Sequence, residues 1–383
     1  MKTALHHPAP RAGFALILVM ITIISLTALV ASFAISMSTE VRLAQNADND
    51  VEMEWMGRAG IEMARWALAN KCPEQKGLDA LNQYWAGGNA PCSNGIPEIS
   101  LKNVPMGHGH FSVSITDMER KWSINLVANS RNPQMEVLQK ALNEVGITDA
   151  GLSSTIIDSI LDWTSPNANT TRLNGAKDDY YGRLRPPYYC KNGQIDDLSE
   201  LLLIKGITPE IYWGSNSTNH PVSAFQQHGG GPFGQPSTSG NTSFRNKDDQ
   251  PLYPVGLHDL FSPLGGQLNV NTASLKTLQL IPGLDLAAAQ QIITQRAGPD
   301  GIDGTEDDAP IQNIGEINGM NVAGGPQVGQ QAQNLAAFVG VRSYVFEVRV
   351  DAEINGYKRA FYGVISRQGA QSQQLKCVKF YWD

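Results

Sequence analysis

The chain has 383 residues and carries 36 acidic and 29 basic side chains, which gives a formal net charge of −7. This length allows roughly two domains and an additional anchor. Phosphate binding needs a basic surface, so the acidic balance argues against a nucleic-acid partner. The sequence holds no nucleophile elbow, phosphate-binding glycine loop, HExxH or CxxC motif, and we therefore predict a protein that is not an enzyme.

Residues 14–37 form an uninterrupted apolar run of 24 residues without charge, Gly or Pro. About 20 such residues span the hydrocarbon core of a bilayer as a helix, which satisfies its own backbone groups. Lys2 and Arg11 precede the run, and basic residues before a span hold the N-terminus in the cytoplasm. The sequence predicts one membrane-spanning helix with the rest of the chain exported.

A Gly–Phe junction, Gly13–Phe14, separates the basic leader from the apolar run. An ordinary signal peptide has a shorter apolar core and a small-residue cleavage site after it. The arrangement here resembles type IV prepilins and pseudopilins, in which a membrane peptidase cuts after the Gly and methylates the new N-terminal Phe. The resemblance implies processing at Gly13 and Phe14 by a prepilin peptidase. The alternative is a signal anchor that is never cut.

The family usually has Glu at the fifth mature position, where this chain has Leu18. In this it resembles the K-type minor pseudopilin of type II secretion.

A second helical pattern continues from the apolar run to Ala69 without a Pro. Together the two pieces predict one helix of about 55 residues, or about 80 Å. Trp55 and Trp66 are interpreted as core residues of a globular head packed on this helix. The apolar residues that recur at steps of three and four are Val41, Ala44, Ala47, Val51, Trp55, Ala59, Met63 and Trp66.

Four cysteines in an exported chain are candidates for disulfides, with three possible pairings. Cys72 and Cys92 lie close in sequence and flank a loop-like stretch, which favours a bridge between them. Cys190 and Cys377 either form a second bridge or remain free.

Strand patterns flank a long middle part of the chain. Residues 110–120 and 344–354 alternate with period two, and Asn355-Gly356 then predicts a tight hairpin to 357–366. The predicted fold is α+β: a pilin-like long N-terminal helix with an antiparallel sheet head, interrupted by a large, mostly helical inserted domain. The predicted segments begin with a leader at 1–13 and a transmembrane part of the long helix at 14–37. The rest of that helix and the first half of the head follow at 38–122. The insert occupies 123–335, with a mobile loop at 215–256, and the second half of the head occupies 336–383.

The insert contains three apolar–Gly–apolar turns of helix–hairpin–helix type, at 145–148, 205–208 and 282–285. Gly ends one helix there, and Thr or Asp caps the next. Such turns bind DNA in many proteins, but on an acidic exported chain they indicate compact helical packing. Residues 156–212 and 268–298 resemble the insert of the K-type minor pseudopilin. With the leader and the closing strands, that resemblance covers nearly the whole chain.

Two acidic loops are predicted to bind calcium, which takes six to eight oxygen ligands. The resemblance implies calcium in the inserted domain, and the candidate ligands in the loop 162–179 are Asp162, Asp178 and Asp179. Lys177 stands there at a position that is acidic in the family. The second loop holds Asp300, Asp303, Asp307 and Asp308, which repel each other unless a cation joins them. The alternative for both is a solvated acidic turn.

The K-type resemblance implies a minor pseudopilin at the tip of the type II secretion pseudopilus, with the I and J types as partners. It implies a single-pass inner-membrane protein with a large periplasmic domain that helps to initiate and cap assembly. One alternative is a minor pilin of a type IV pilus, which serves adhesion or DNA uptake. Another is a membrane-anchored hydrolase with metal in the acidic loops, although no base or nucleophile is placed beside them.

Overall fold

The computed structural model describes residues 12–70, 72, 75, 77–90, 92, 100–214, 253–319, 338–368 and 374–382. The predicted mobile loop 215–256 therefore lies outside the described residues up to position 252. The helices are α1 (Ala12–Ala69), α2 (Ile124–Val127), α3 (Met135–Val145), α4 (Ala150–Thr164), α5 (Asp178–Tyr181), α6 (Pro209–Trp213), α7 (Leu257–Leu260), α8 (Leu275–Gln279), α9 (Leu286–Arg296) and α10 (Ile314–Gly319). The strands are β1 (Val104–Met106), β2 (Gly109–Asp117), β3 (Trp122–Ser123), β4 (Phe261–Ser262), β5 (Leu268–Asn269), β6 (Val339–Gly340), β7 (Val345–Ile354), β8 (Tyr357–Arg367) and β9 (Leu375–Trp382).

Five strands form one antiparallel sheet in the order β1-β2-β7-β8-β9. Strands β7 and β8 are joined by the predicted hairpin, in which Asn355 and Gly356 both have positive φ, as the tight turn requires. Strand β2 pairs with β7 along its full length, ending at Asp117 opposite Phe346. The chain thus leaves the sheet after Asp117 and rejoins it more than two hundred residues later. The α+β pilin-like fold is confirmed.

Helix α1 crosses one face of the sheet with its C-terminal half. Gly57 and Gly60 lie against Phe361 and Val350, where an added Cβ would come within 2.6 Å of either side chain. These two glycines let the helix backbone approach the strands closely. The sheet-facing helix residues in this core include Met53, Met56, Ile61, Ala64 and Leu68.

The interpretation of Trp55 and Trp66 as core residues is wrong. Trp55 is 62% exposed and Trp66 is 36% exposed, and Val41 and Val51 lie open as well. Gly57 and Gly60 lack side chains, so the helix packs most closely on the sheet through the face that carries them. Trp55 and Trp66 lie away from that face. Large apolar residues alone therefore pointed to the wrong face of the helix.

Helices α2 to α10 all lie between β2 and β7 and share a separate core. Two short parallel strand pairs, β3–β4 and β5–β6, join the start and the end of this part to its middle. Gly146, Gly206 and Gly283 each have positive φ and end their turns as the sequence predicts. Thr208 and Asp285 cap the next helices, whereas at the first turn the cap of α4 is Asp149, one residue after the predicted Thr148.

The structure joins Cys72 and Cys92 in a disulfide with an S–S distance of 2.18 Å. It closes the segment between α1 and the first strand. Among the described residues Cys190 is buried and Cys377 is partly buried, and both are free thiols.

Candidate functional site

The N-terminal half of α1 carries an exposed apolar surface. The helix is apolar and long enough to cross a membrane, and none of its most apolar stretch is buried. Thr22 and Thr27 donate their hydroxyl protons to carbonyls three or four residues earlier, which removes polar hydrogens from the surface. Gly13 and Phe14 are the second and third residues of α1, and Leu18 lies half exposed one turn further on. This surface fits a transmembrane anchor.

A buried polar cluster, the junction cluster, lies where the sheet meets the inserted helices. Arg367 and Asp79 form an ion pair with a shortest N–O distance of 2.8 Å, and both side chains are fully buried. Arg367 also donates to the Ser343 carbonyl at 2.6 Å, and its guanidinium lies over the Phe346 ring. The other members of the junction cluster are Asp117, Glu119, Asn269 and Thr272.

Asp117 connects the junction cluster to the inserted part. Its Oδ2 accepts hydrogen bonds from the hydroxyls of Ser343 and Thr272 at 2.5 and 2.6 Å. Asn269 donates to the same oxygen and to the Asp79 carbonyl. Residues from the loop after α1, the end of β2, the insert and the return to β7 therefore share one network, which fixes the orientation of the insert on the sheet.

The first acidic loop, residues 162–179, is hydrogen-bonded to one face of α4. Asp162, which is 2% exposed, accepts the Arg172 backbone N–H at 3.0 Å. Asp158, one helical turn earlier, accepts the backbone N–H of Asn174 at 3.2 Å. Asp158 was not among the predicted ligands, although its spacing of four residues from Asp162 places both carboxylates on one face of the helix.

The remaining candidates of this loop point elsewhere. Asp178 accepts the backbone N–H of Cys190 at 2.7 Å, and both Asp178 and Asp179 are exposed at the start of α5. Lys177 is buried between them and α4, and it donates to the Asp162 carbonyl at 2.6 Å. The loop therefore places the Lys177 ammonium beside Asp162, where the sequence predicted a calcium ligand.

In the second acidic loop, residues 298–308, the carboxylates have separate partners. Asp303 forms a two-point ion pair with the buried Arg296, at 2.9 and 2.6 Å. Asp300 accepts the backbone N–H of Ile302. Asp307 accepts the backbone N–H of Asp300, and Asp308 accepts those of Gly304 and Thr305. Each of the four carboxylates therefore has a partner within the chain.

The inserted part matches a family model. The model described as "Type II secretion system (T2SS), protein K" matches residues 123–214. A putative type II secretion system protein K of Escherichia coli K12 is 24% identical over 212 residues, which cover 52% of this chain and 59% of the relative. The type II secretion system protein K of Aeromonas hydrophila is 22% identical over 206 residues, 53% of this chain and 61% of the relative. By these matches the chain is similar to protein K of type II secretion systems.

The fold agrees over a longer stretch. A chain in the crystal structure of the GspK–GspI–GspJ complex from the type 2 secretion system of enterotoxigenic E. coli superposes with a TM-score of 0.60. The superposition covers 89% of this chain and 99% of that chain, at 15% identity. The sequence matches to the two protein K relatives span about three fifths of each relative's length.

Calcium, implied by the resemblance to the protein K family, takes six to eight oxygens. In the first acidic loop the Lys177 ammonium already donates to the Asp162 and Ser165 carbonyl oxygens. The loop therefore does not fit a divalent cation at that place. Throughout the described ranges, no three His, Cys, Asp or Glu side chains gather into a group that could hold a metal. Calcium at the second acidic loop stays a prediction.

Glu119 in the junction cluster makes the stability of this protein depend on pH. It accepts backbone N–H groups from Gly266 and Tyr344 at 2.7 and 2.9 Å. Burial raises its pKa from 4.5 to about 7, against the opposing effect of these two bonds. Burial also raises the pKa of Asp117 to about 6. Between the unfolded and folded pKa values the folded state binds more protons than the unfolded chain.

The free energy of unfolding should therefore fall as the pH rises from about 4.5 to about 7, by on the order of 1–3 kcal/mol. Glu119→Gln cannot titrate, so its stability should depend less on pH than that of the wild type. The measurement is urea unfolding in detergent, followed by near-ultraviolet circular dichroism, at a series of pH values. Parallel curves for the two proteins would show that Glu119 ionises alike in the folded and unfolded states.

Proposed function

We propose that this protein is a minor pseudopilin of type II secretion, anchored in the inner membrane with its large domain in the periplasm. The single observation that carries the proposal is the interruption of a pilin sheet between Asp117 and Phe346 by a domain with its own core. Helix α1 supplies the anchor and the spine, and the sheet packs on it. The role is structural, and no catalytic step is assigned.

The finer proposal is a position at the tip of the pseudopilus, in a complex with I-type and J-type minor pseudopilins. Subunits of a pilin filament stack along their helices, and an inserted domain as large as this one fits only where no subunit stacks above. Leu18 in place of Glu removes one attraction toward a subunit further along, which suits the topmost position. From there the protein would help to initiate and cap pseudopilus assembly for export of folded proteins.

The described surface of α1 supports helix-to-helix assembly. Between positions 41 and 55 the helix exposes Val41, Leu43, Val51 and Trp55, each by more than half. Apolar side chains of this size on a long free helix are typical of a surface that another helix covers. We expect the helices of the I and J types to cover it.

The test is co-purification of the full chain in detergent with the I-type and J-type pseudopilins of the same secretion system. We expect a complex that contains all three proteins. Trp55→Ser should weaken it several-fold without lowering the melting temperature, because the side chain is exposed. Met56→Ser is the matched control: Met56 is fully buried on the opposite face, and its loss should lower the melting temperature. Failure of the wild type to bind either partner would count against the tip position.

A further inference from the structure

The buried ammonium of Lys177 lies in a pocket of oxygen atoms at the C-terminal end of α4. The residue is 4% exposed. Its Nζ donates to the Asp162 carbonyl at 2.6 Å, to the Ser165 carbonyl at 3.2 Å and to the side-chain oxygen of Asn192. An ammonium has three protons, so these oxygens use all of its donors.

The pocket is built to hold a positive charge. Asp162 is in the last turn of α4 and Ser165 is its C-terminal cap, where carbonyls lack the usual partner four residues on. The Asp162 carbonyl accepts the cap N–H of Ser165 at 3.3 Å and can accept a second donor. The negative end of the helix dipole lies at the same place. Asn192 adds a third oxygen from the turn after Cys190 and has positive φ itself. Carbonyl and amide oxygens are also the ligands that a hard cation such as Ca²⁺ takes.

The surrounding loop packs on the Asp162 side chain, which belongs to the same residue as the carbonyl that Lys177 contacts. The Asp162 side chain accepts the Arg172 N–H, and an added Cβ at Gly175 would lie 1.9 Å from Asp162 Oδ2. Asn192 Nδ2 donates to the Cys190 carbonyl, which fixes the amide with its oxygen toward Lys177. The end of α4, the acidic loop and the Asn192 turn therefore meet at the buried ammonium of Lys177.

We propose that Lys177 is a tethered cation that takes the place of a bound metal ion in the first acidic loop. The oxygens of Asp162, Ser165 and Asn192 form a cation site, and the chain fills it with its own ammonium. The loop then closes without a divalent cation and keeps its structure in a chelator. Replacing the ammonium by a carboxylate turns the same oxygens into a site for calcium.

The experiment uses the full chain in detergent micelles and compares Lys177→Glu, Lys177→Met and Lys140→Met with the wild type. Lys140 is the matched control, because its Nζ also donates to two carbonyls, those of Ile281 and Leu284, in the turn between α8 and α9. Each protein is melted in millimolar calcium and in excess EDTA, and calcium uptake is measured by isothermal titration. The second acidic loop is unchanged in all four proteins, so calcium uptake there would cancel in the comparison.

We expect Lys177→Glu to bind one calcium ion more than the wild type and to gain several degrees more in melting temperature when EDTA is replaced by calcium. Lys177→Met should melt about 5 °C or more below the wild type in both solutions, because buried oxygens lose their donor. Lys140→Met should show a smaller loss and no change in calcium uptake. If Lys177 only filled space, Lys177→Glu would not bind more calcium than the wild type.

The proposal is overturned if folded Lys177→Glu takes up no more calcium than the wild type. If Lys177→Glu does not fold in either solution, Lys177→Met decides. A melting temperature for Lys177→Met within about 1 °C of the wild type would then overturn it, and a loss larger than that of Lys140→Met would support it.

Discussion

Replacing Arg367 with Met should lower the free energy of unfolding by about 3–5 kcal/mol. The substitution removes a guanidinium that is fully buried with Asp79 and also donates to the Ser343 carbonyl. Asp79 would be left as a buried carboxylate without its cation, although it keeps the Ser343 backbone N–H at 3.0 Å. We expect the inserted domain to loosen from the sheet, since this pair joins the loop after α1 to the end of β8. Urea unfolding in detergent measures the loss.

Two further variants separate charge from packing. Arg367→Met combined with Asp79→Asn removes the lone buried charge and should recover part of the lost stability. Arg58→Met is the surface control, because Arg58 and Glu54 form an exposed pair at 2.7 Å, and its cost should stay within about 1 kcal/mol. A loss for Arg367→Met no larger than for Arg58→Met would mean that the buried pair adds no net stability.

Gly13→Leu should abolish processing of the precursor and, with it, secretion. The resemblance to prepilins implies a peptidase that cuts after a small residue, and the side chain of Leu would occupy the place where Gly13 has only hydrogen. The mature N-terminus would not form, and the helix could not leave the membrane to join a filament. Mass spectrometry should find the leader with Met1 still attached and Phe14 without a methyl group. Normal gel mobility and normal secretion in this variant would refute processing at Gly13.

Leu18→Glu is the matched variant on the other side of the junction. It restores the acidic residue usual at the fifth mature position of the prepilin family. Secretion should stay nearly intact, because a topmost subunit has no neighbour above that needs this carboxylate. A strong secretion defect with normal processing would argue that Leu18 is needed inside the filament.

Local patterns were sufficient for the elements that do not depend on distant contacts. An apolar run without charges predicts an exposed helix, and α1 extends over 58 residues. Period-two alternation and Asn355-Gly356 predicted β7, β8 and their turn, because a tight hairpin is fixed by its own φ angles. Cys72 and Cys92 were paired on sequence proximity alone, and the structure joins them.

Contacts between distant parts of the chain were beyond these patterns. The buried face of α1 is the one that carries Gly57 and Gly60, because their small size allows close packing on the sheet. The strands that they contact come about three hundred residues later in the chain. Asp79 and Arg367 are 288 residues apart, and no local signal marks either as a buried ion pair. Lys177 looked like an unfavourable residue in a calcium loop, whereas its ammonium is bound by oxygens from α4 and the Asn192 turn.

The sequence by itself determined the anchor, the long helix, the hairpin and the helical turns of the insert, because each is specified by the conformational preferences of neighbouring residues. Only the tertiary structure decided which helix face is buried, how the insert is fixed to the sheet and which charge fills the first acidic loop. The physical reason is that burial and charge pairing depend on groups brought together by folding, and their energies are set by the surroundings of each atom rather than by its place in the chain.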